Sequence, residues 1–589
     1  MSRSSAVFKT DNGERRAGLS TSSTQHHFQS TAGLFSSNTR ITQQQQQSFI
    51  SKTNHDNMKR TLRLFLVLLA FGSAHPRRPH IVFIMADDLG WNDVGFHGSD
   101  EIPTPNIDAL AYSGLILNNY YVEPICTPSR SALMTGKYPI HTGMQHTVLY
   151  GAEPRGLPLT EKLLPEYLKD LGYVNRMVGK WHLGSYKRVF TPTYRGFDSH
   201  LGCWTGHIDY NDHTAQEKPG WGLDMRRNLE VASDLHGVYV TDLYTNEATK
   251  LIEEHNRTKP LFLYLAHNAV HSGNPYNPLA APDALVANFL NISSYERGKF
   301  AAMMTKVDES VGKVVKALEK NGMLEDSVII FSSDNGGPAA GFNLNAASNW
   351  PLKGVKNTLW EGGIRAAGFL WSPLLDKPKR VAHQMMHITD WLPTLYSLAG
   401  GNPNDLHRLD GFDLWNELSN DRDSKRETIL HNIDDIYGSS SIVTGDWKLI
   451  KGTNYEGEWD NWYGPSGRGG SYDVRKIQNS ETGIVLEKLG RGLNPEEVMR
   501  LRSQADVKCP KVAKETPCWP LESPCLFYLK DDPCERNNLA LEYPNILRHL
   551  LSSLEQYNRT ALSPGNLPLD LRGDPKYWSN VWTNFGDYI

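Results

Sequence analysis

The sequence predicts an α/β fold in which a large, mostly parallel sheet is flanked by helices and followed by a smaller C-terminal subdomain holding an antiparallel sheet. Four apolar runs, 80–86, 176–178, 261–266 and 328–332, have the short, unbroken form of strands buried on both faces. Helical patterns lie between them, and such alternation marks a parallel sheet. After residue 425 the apolar runs are short, with Tyr, Trp, Gly and Cys frequent between them, which favours antiparallel pairing.

In chain order, residues 1–57 are rich in Ser, Thr, Gln and Asn, include the run Gln43–Gln47, and have almost no apolar periodicity. They are expected to be disordered, or an upstream extension that is not translated. Residues 58–74 run from Met58-Lys59-Arg60 through an apolar stretch to Gly72-Ser73-Ala74, the order of a secretory signal peptide cleaved near Ala74. The stretch is about half the ~20 residues of a spanning helix, so no stable membrane anchor is expected. Residues 75–425 form the expected catalytic α/β domain and 426–589 the C-terminal subdomain.

Within the larger domain, residues 163–171 read as a helix ending at Gly172. Phe300, Met303, Met304, Val307, Val311, Val314, Val315 and Leu318 recur at helical spacing until Asn321-Gly322. Candidate C-terminal strands are 428–431, 441–443, 447–451 and 525–529. With 589 residues, 39% hydrophobic and 21% charged, the chain can bury a large core, and its net charge of −4 offers no global field for nucleic acid. Any positive charge for a polyanionic substrate must be local.

Secretory entry gives meaning to three N-glycosylation sequons, at Asn256, Asn291 and Asn558. It also makes the C-terminal cluster Cys509, Cys518, Cys525 and Cys534 read as two disulfides. Local pairing, Cys509 with Cys518 and Cys525 with Cys534, is the expectation among three connectivities. Cys126 and Cys203 are left without neighbours.

Each strand candidate of the large sheet ends in chemically useful residues: Asp87-Asp88, Lys180 and His182, His271, and Asp334-Asn335. Open parallel sheets gather such residues outside their carboxyl ends. Asp87, Asp88, Asp334 and Asn335 are hard oxygen donors, suited to Ca²⁺ or Mg²⁺ rather than zinc. Alone, an Asp-Asp pair or an Asp-Asn-Gly-Gly run is more often a turn; two such pairs closing two buried strands ask for more. Cys126 opens a plausible helix with Pro128 early in it, at the positive end of a helix dipole. Disulfide half, thiol nucleophile and modification site are all open on these residues alone.

The stretch Cys126-Thr127-Pro128-Ser129-Arg130 resembles the modification motif of the type I sulfatases, whose cysteine becomes formylglycine in the endoplasmic reticulum. The resemblance runs from about Pro79 to the C-terminus through "IVFIMADDLGWND", "GKWHLG" and "IIFSSDNGG". "NWPLKGVKNTLWEGG", "HITDWLPTL", "LDGFDLW" and "LHNID" are similar to the arylsulfatase B branch, the N-acetylgalactosamine 4-sulfatases. The chain departs from the family in Leu133-Met134-Thr135-Gly136-Lys137, where Leu-Leu-Thr-Gly-Arg is common, and in lacking cysteines over Thr147–Gly156.

The resemblance implies an alkaline-phosphatase-like fold, with Asp87, Asp88, Asp334 and Asn335 binding one Ca²⁺ together with modified Cys126. Arg130 would orient the modified side chain, Lys180 and His182 would bond its hydroxyls, and His271 and Lys356 would grip the sulfate and its leaving oxygen. One hydroxyl would attack sulfur with a carboxylate such as Asp334 as base, and His182 would take the proton of the second. Lys356 is preferred to Lys353 because it stands five residues before Glu361-Gly-Gly. The implied substrate is a sulfated glycan or aryl sulfate, notably N-acetylgalactosamine 4-sulfate of dermatan or chondroitin sulfate. The implied setting is glycosaminoglycan degradation in a lysosomal or secreted glycoprotein matured by the formylglycine-generating enzyme. A phosphoester hydrolase of the alkaline phosphatase superfamily and a catalytically silent glycosaminoglycan-binding paralogue are the alternatives.

Overall fold

The computed structural model describes residues 78–292, 294–510 and 515–589; the readings for residues 1–57 and 58–74 fall outside them. The large sheet has ten strands: β1 (His80–Ala86), β2 (Leu115–Leu117), β3 (Val174–Gly179), β4 (Ser199–Gly202), β5 (Arg226–Arg227), β6 (Glu230–Val231), β7 (Leu261–Ala266), β8 (Ser327–Ser333), β9 (Gly368–Trp371) and β10 (Arg380–Ala382). Their order is β10-β2-β9-β8-β1-β7-β3-β4-β5-β6. The central run β8-β1-β7-β3-β4 is parallel throughout, and antiparallel pairs occur only towards the edges.

Strand periodicity splits β1 between two cores. Val82, Ile84 and Ala86 face one side with Leu263, Leu265, Ile329 and Phe331. Ile81, Phe83 and Met85 face the other with Phe262, Tyr264, Val328 and Ile330. Two-sided burial is why these strands read as unbroken apolar runs. Helix α1 (Cys126–Thr135) and helix α2 (Leu164–Asp170) pack on the second face through Ala132, Leu133, Leu164 and Leu168. Helix α3 (Tyr295–Lys320) buries on the first face the eight residues its periodicity singles out. Ser294 caps its start by accepting from the Arg297 amide, and Gly322 follows its end with φ +63°.

The smaller sheet is antiparallel, in the order β11 (Thr428–Asp434), β12 (Ser439–Thr444), β13 (Trp447–Lys451) and β14 (Cys525–Tyr528). Helix α4 (Pro544–Asn558) covers it with Leu550 and Leu554. The stretch after residue 425 also returns to the large sheet: Ile477, Leu486, Val498, Leu501 and Trp582 join the first core.

The disulfides correct the local pairing expected from the sequence. Cys509 bonds Cys534 and Cys518 bonds Cys525, with Cα–Cα separations of 5.6 and 5.8 Å. The chain turns back at Trp519, whose carbonyl accepts from the Glu522 and Ser523 amides, so Cys518 meets the start of β14. The short bridge is thereby nested inside the long one, an arrangement that spacing cannot distinguish. Asn256, Asn291 and Asn558 are all exposed.

Candidate active site

Four neighbouring parallel strands deliver their C-terminal residues to one edge of the sheet. β1 brings Asp87 and Asp88, β8 brings Asp334 and Asn335, β3 brings Lys180 and His182, and the turn after β7 brings His271. Two close approaches explain the flanking glycines. A Cβ on Gly179, which has φ +109°, would lie 1.8 Å from the Ala266 carbonyl oxygen, and one on Gly336 would lie 1.8 Å from that of Gly362. The Asp-Asn-Gly-Gly turn therefore packs against the Glu-Gly-Gly turn, which holds the Lys356 loop beside the strand ends. Asp88 and His182 are themselves left-handed, with φ +61° and +58°, backbone strain of a kind that clusters at functional sites.

Cys126 is the first residue of α1, after extended Ile125, so the sequence reading of this helix start holds. Its Sγ lies 3.6 Å from Asp87 Oδ1. The other predicted residues converge on the same point. Arg130 donates twice to Asp334 Oδ2, at 3.2 and 2.8 Å, and once to the Lys180 carbonyl at 3.1 Å. Lys180 Nζ is 2.6 Å from Asp87 Oδ2, and Lys356 Nζ is 2.8 Å from Asp88 Oδ2. Asn335 Nδ2 donates to Asp88 Oδ1 at 2.7 Å, and the Asp88 amide to Asp334 Oδ1 at 3.2 Å. Every one of these side chains is buried. Lys353 is turned away, its Nζ on the Glu535 carbonyl and over the Trp360 ring.

Burial sets the protonation states. It pushes the Cys126 thiol far above the usual thiol range, against the pull of Lys180 and Lys356, so the unmodified cysteine is a protonated, poor nucleophile. Burial, followed by nearby lysines, holds His182 and His271 well below the usual imidazole range, hence neutral. His271 Nδ1 donates to the Ser272 carbonyl at 2.6 Å, which leaves Nε2 to accept from Lys356 at 3.1 Å and Asn343 at 3.0 Å. His182 Nε2 donates to the Leu149 carbonyl at 3.1 Å, and its buried Nδ1 has no hydrogen-bond partner among the described residues.

Residues 79–401 match the model of the Sulfatase family. The chain belongs to the sulfatase family. Arylsulfatase J of Mus musculus is 42% identical over 532 residues, covering 87% of this chain and 81% of that protein. N-acetylgalactosamine-6-sulfatase of Mus musculus is 35% identical over 374 residues, covering 60% and 69%. The crystal structure of Ps i-CgsB in complex with k-i-k-neocarrahexaose superposes with a TM-score of 0.64 at 26% identity, covering 85% of this chain and 96% of that one. The chain is thus a sulfuric ester hydrolase with the fold of its structural relatives, a mostly parallel sheet with a small antiparallel one.

The sulfatase site opens into a cavity of about 370 Å³ whose wall includes Cys126, His182, His271 and Lys356. Other wall residues, among them Tyr150, His207, Glu217, Lys218, Phe342 and Leu569, were not singled out by the sequence. They stand on loops and a hairpin without periodicity or motif, so no local signal marks them. His207 stacks on His271 with ring centres 5.9 Å apart, and burial pushes it down to about 4. A larger cavity of about 930 Å³ lies against α4, but its Lys137–Glu161 and His141–Asp410 pairs already satisfy one another. His267, which also follows β7, turns to Ser310 instead.

The donor set fits a hard cation. Ligand atoms of Asp87, Asp88, Cys126 and His271 lie within 4.8 Å of one another. Asn335 Oδ1 beside them is buried with no hydrogen-bond partner among the described residues, an oxygen that a cation would satisfy. Three carboxylates and three cations already balance, so a divalent ion would add positive charge that an anionic substrate matches.

Proposed function

We propose that this sulfatase removes sulfate from N-acetylgalactosamine residues of dermatan or chondroitin sulfate, at the 4-position, using formylglycine made from Cys126 and one Ca²⁺. The observation that carries the reading is Cys126 itself: a buried, protonated thiol at a helix start, at a cavity wall, among three carboxylates and three cations. As a plain thiol it is a poor nucleophile there. Conversion by the formylglycine-generating enzyme would supply an aldehyde hydrate, whose one hydroxyl would be the nucleophile for sulfur as the S–O ester bond breaks and the alcohol leaves, and whose other hydroxyl would allow sulfate release with return to the aldehyde. Ca²⁺, held by Asp87, Asp88, Asp334 and Asn335 with modified Cys126, would supply electrostatic stabilisation of the sulfuryl oxygens.

The chain's own residues have distinct tasks in this reading. Asp87 and Asp334 are both engaged by cations, Asp87 by Lys180 and Arg130 and Asp334 by Arg130, and Asp87 is the one whose Oδ1 faces Sγ, which suits it to take the first proton. This favours Asp87 over Asp334 as base. Arg130 fixes Asp334 against the Lys180 carbonyl, and Lys180 fixes Asp87. The free lone pair of His182 Nδ1 suits the proton of the second hydroxyl. Lys356, rather than His271, is the proton donor for the leaving oxygen, since His271 Nε2 is an acceptor in this arrangement.

The arylsulfatase B motifs favour the 4-sulfate; the similarity to N-acetylgalactosamine-6-sulfatase favours the 6-sulfate as the competing position. Exposed sequons and the predicted leader support a secretory, lysosomal or secreted glycoprotein. Among the described residues no helix is long and apolar enough to cross a membrane. The test is the mass of the Cys126 peptide from protein made in eukaryotic cells, paired with turnover of 4-sulfated, 6-sulfated and phosphorylated substrates. An aldehyde at residue 126 and preference for the 4-sulfate are expected. An alkylatable thiol with no hydrolysis would favour the silent glycan binder, and a preference for phosphate would favour the phosphoesterase.

A further inference from the structure

We propose that Lys218 is a specificity-determining residue that reads a second anionic group, a carboxylate or a second sulfate, on the sugar next to the one being desulfated. The proposal rests on the glycan-sulfatase reading above and adds a recognition site outside the reacting centre.

The argument begins with charge. The chain carries a net charge of −4, so attraction for a polyanion has to be local. In the cavity wall Lys356 is committed to Asp88, and the lysine that remains is Lys218, which makes no hydrogen bond or ion pair to any described residue. It is exposed, at the tip of the hairpin Thr214–Glu217 and Gly220–Leu223.

An exposed lysine on a turn is ordinarily a solvated charge, but this turn is fastened on every side. Glu217, next to it, accepts from the Gly151 amide at 2.8 Å and the Gly206 amide at 3.0 Å. Asn274 accepts from the Gln216 amide at 2.8 Å, Trp221 donates to Thr214 Oγ1 at 2.6 Å, and the Leu223 amide donates to the Asn580 carbonyl at 2.8 Å. The hairpin backbone is therefore a fixed wall that carries an unpaired ammonium on a flexible stem at the mouth. A cation whose backbone anchor is already ordered leaves only its side chain to be ordered on engagement.

Size points to the neighbouring sugar. A cavity of about 370 Å³ lies at the small end of ligand sites. It suits one sulfated sugar with its sulfate at the bottom beside Cys126. Lys218 at the rim then faces the next residue of the chain, which in a glycosaminoglycan-like polymer carries a carboxylate or another sulfate. A rim charge of this kind acts on encounter and on salt dependence rather than on the chemical step.

The experiment compares wild type, Lys218→Ala and Lys218→Arg on nitrophenyl sulfate and on a disaccharide of a sulfated N-acetylhexosamine joined to a hexuronate. Lys218→Ala is expected to lower kcat/KM on the disaccharide about tenfold, mainly through KM, and to flatten its salt dependence. Nitrophenyl sulfate turnover should be unchanged, and Lys218→Arg should restore most of the loss. If a carboxylate is read, reducing that carboxyl to an alcohol erases the difference between wild type and Lys218→Ala; if a sulfate is read, the difference appears only on a disulfated disaccharide. Equal losses on both substrate types, or no loss on any anionic disaccharide, would overturn the proposal. Wild-type enzyme active on nitrophenyl sulfate but on no glycan sulfate would instead overturn the glycan reading, and the proposal with it.

Discussion

Among the described residues, two clusters of buried charge differ in what surrounds them. At the strand ends, Asp87, Asp88 and Asp334 meet Arg130, Lys180 and Lys356 beside a cavity, with unpartnered acceptors on His182 and Asn335. Under the small sheet, Lys448 of β13 lies 2.9 Å from Glu361 and 2.7 Å from Glu535, all buried, and none of the three lines a described cavity. The second cluster fastens the Glu-Gly-Gly turn to the C-terminal sheet, so it supports the Lys356 loop without touching the cavity. Burial of charge is common to both and does not by itself mark function. Both also hold a buried acceptor without a hydrogen-bond partner among the described residues, Glu535 Oε1 in the second; access to a cavity distinguishes the first.

Replacing one residue in each cluster tests that distinction most severely. Cys126→Ala should abolish sulfatase activity, by at least about a thousandfold on the scale of nucleophile deletions, while the thermal midpoint stays near that of wild type because the ion pairs remain. Lys448→Met should do the reverse. Removing one partner of a buried pair costs about 3–5 kcal/mol, readable in denaturant unfolding, while the specific activity of the folded fraction at low temperature stays within a few fold. If Cys126→Ala kept its activity, or if Lys448→Met lost activity without losing stability, the two clusters would not be separable in this way.

Arg130→Lys sharpens the comparison within the first cluster. A lysine keeps the charge but cannot reproduce the forked contact to Asp334 Oδ2 and the third bond to the Lys180 carbonyl. Misplacement of the residues it holds should lower kcat about a hundredfold with KM little changed, and the loss should be similar on small and large substrates. That pattern differs from the one expected at Lys218.

The same contrast explains what the sequence could reveal. The strands of the large sheet were legible because burial on both faces leaves unbroken apolar runs, and α3 because eight residues repeat on one face. The strand-end residues were legible because each follows such a run within a few positions. The cavity wall was not. Glu217 and Lys218 come from one hairpin, Tyr150 and Leu569 from separate loops, and only tertiary packing brings them together. Lys448 sits in a short strand where a lysine reads as a solvent-facing position, and nothing local announces Glu361 and Glu535 as its partners. The disulfide pairing failed for the same reason, since a turn at Trp519 rather than spacing decides which cysteines meet.

The sealed cluster also carries a pH dependence that the open one need not share. Burial, opposed by Lys448 and reinforced by Glu361, pushes the Glu535 carboxyl up to about 7 from an ordinary 4.5. The folded chain therefore holds a proton there that the unfolded chain has released, over a window from about pH 4.5 to 7. Because the folded state binds more protons in that window, stability falls as pH rises through it, by at most about 1.4 kcal/mol per pH unit from this group. Below the window both states are protonated and the contribution is constant. Glu535→Gln removes the titrating group while keeping an acceptor for the Glu361 amide. Its unfolding free energy should fall less steeply between pH 4.5 and 7 than that of wild type, with little change in sulfatase activity. An unchanged slope would mean that the Lys448 ion pair keeps Glu535 charged in the folded state, and that the sealed cluster is electrostatically as balanced as the catalytic one.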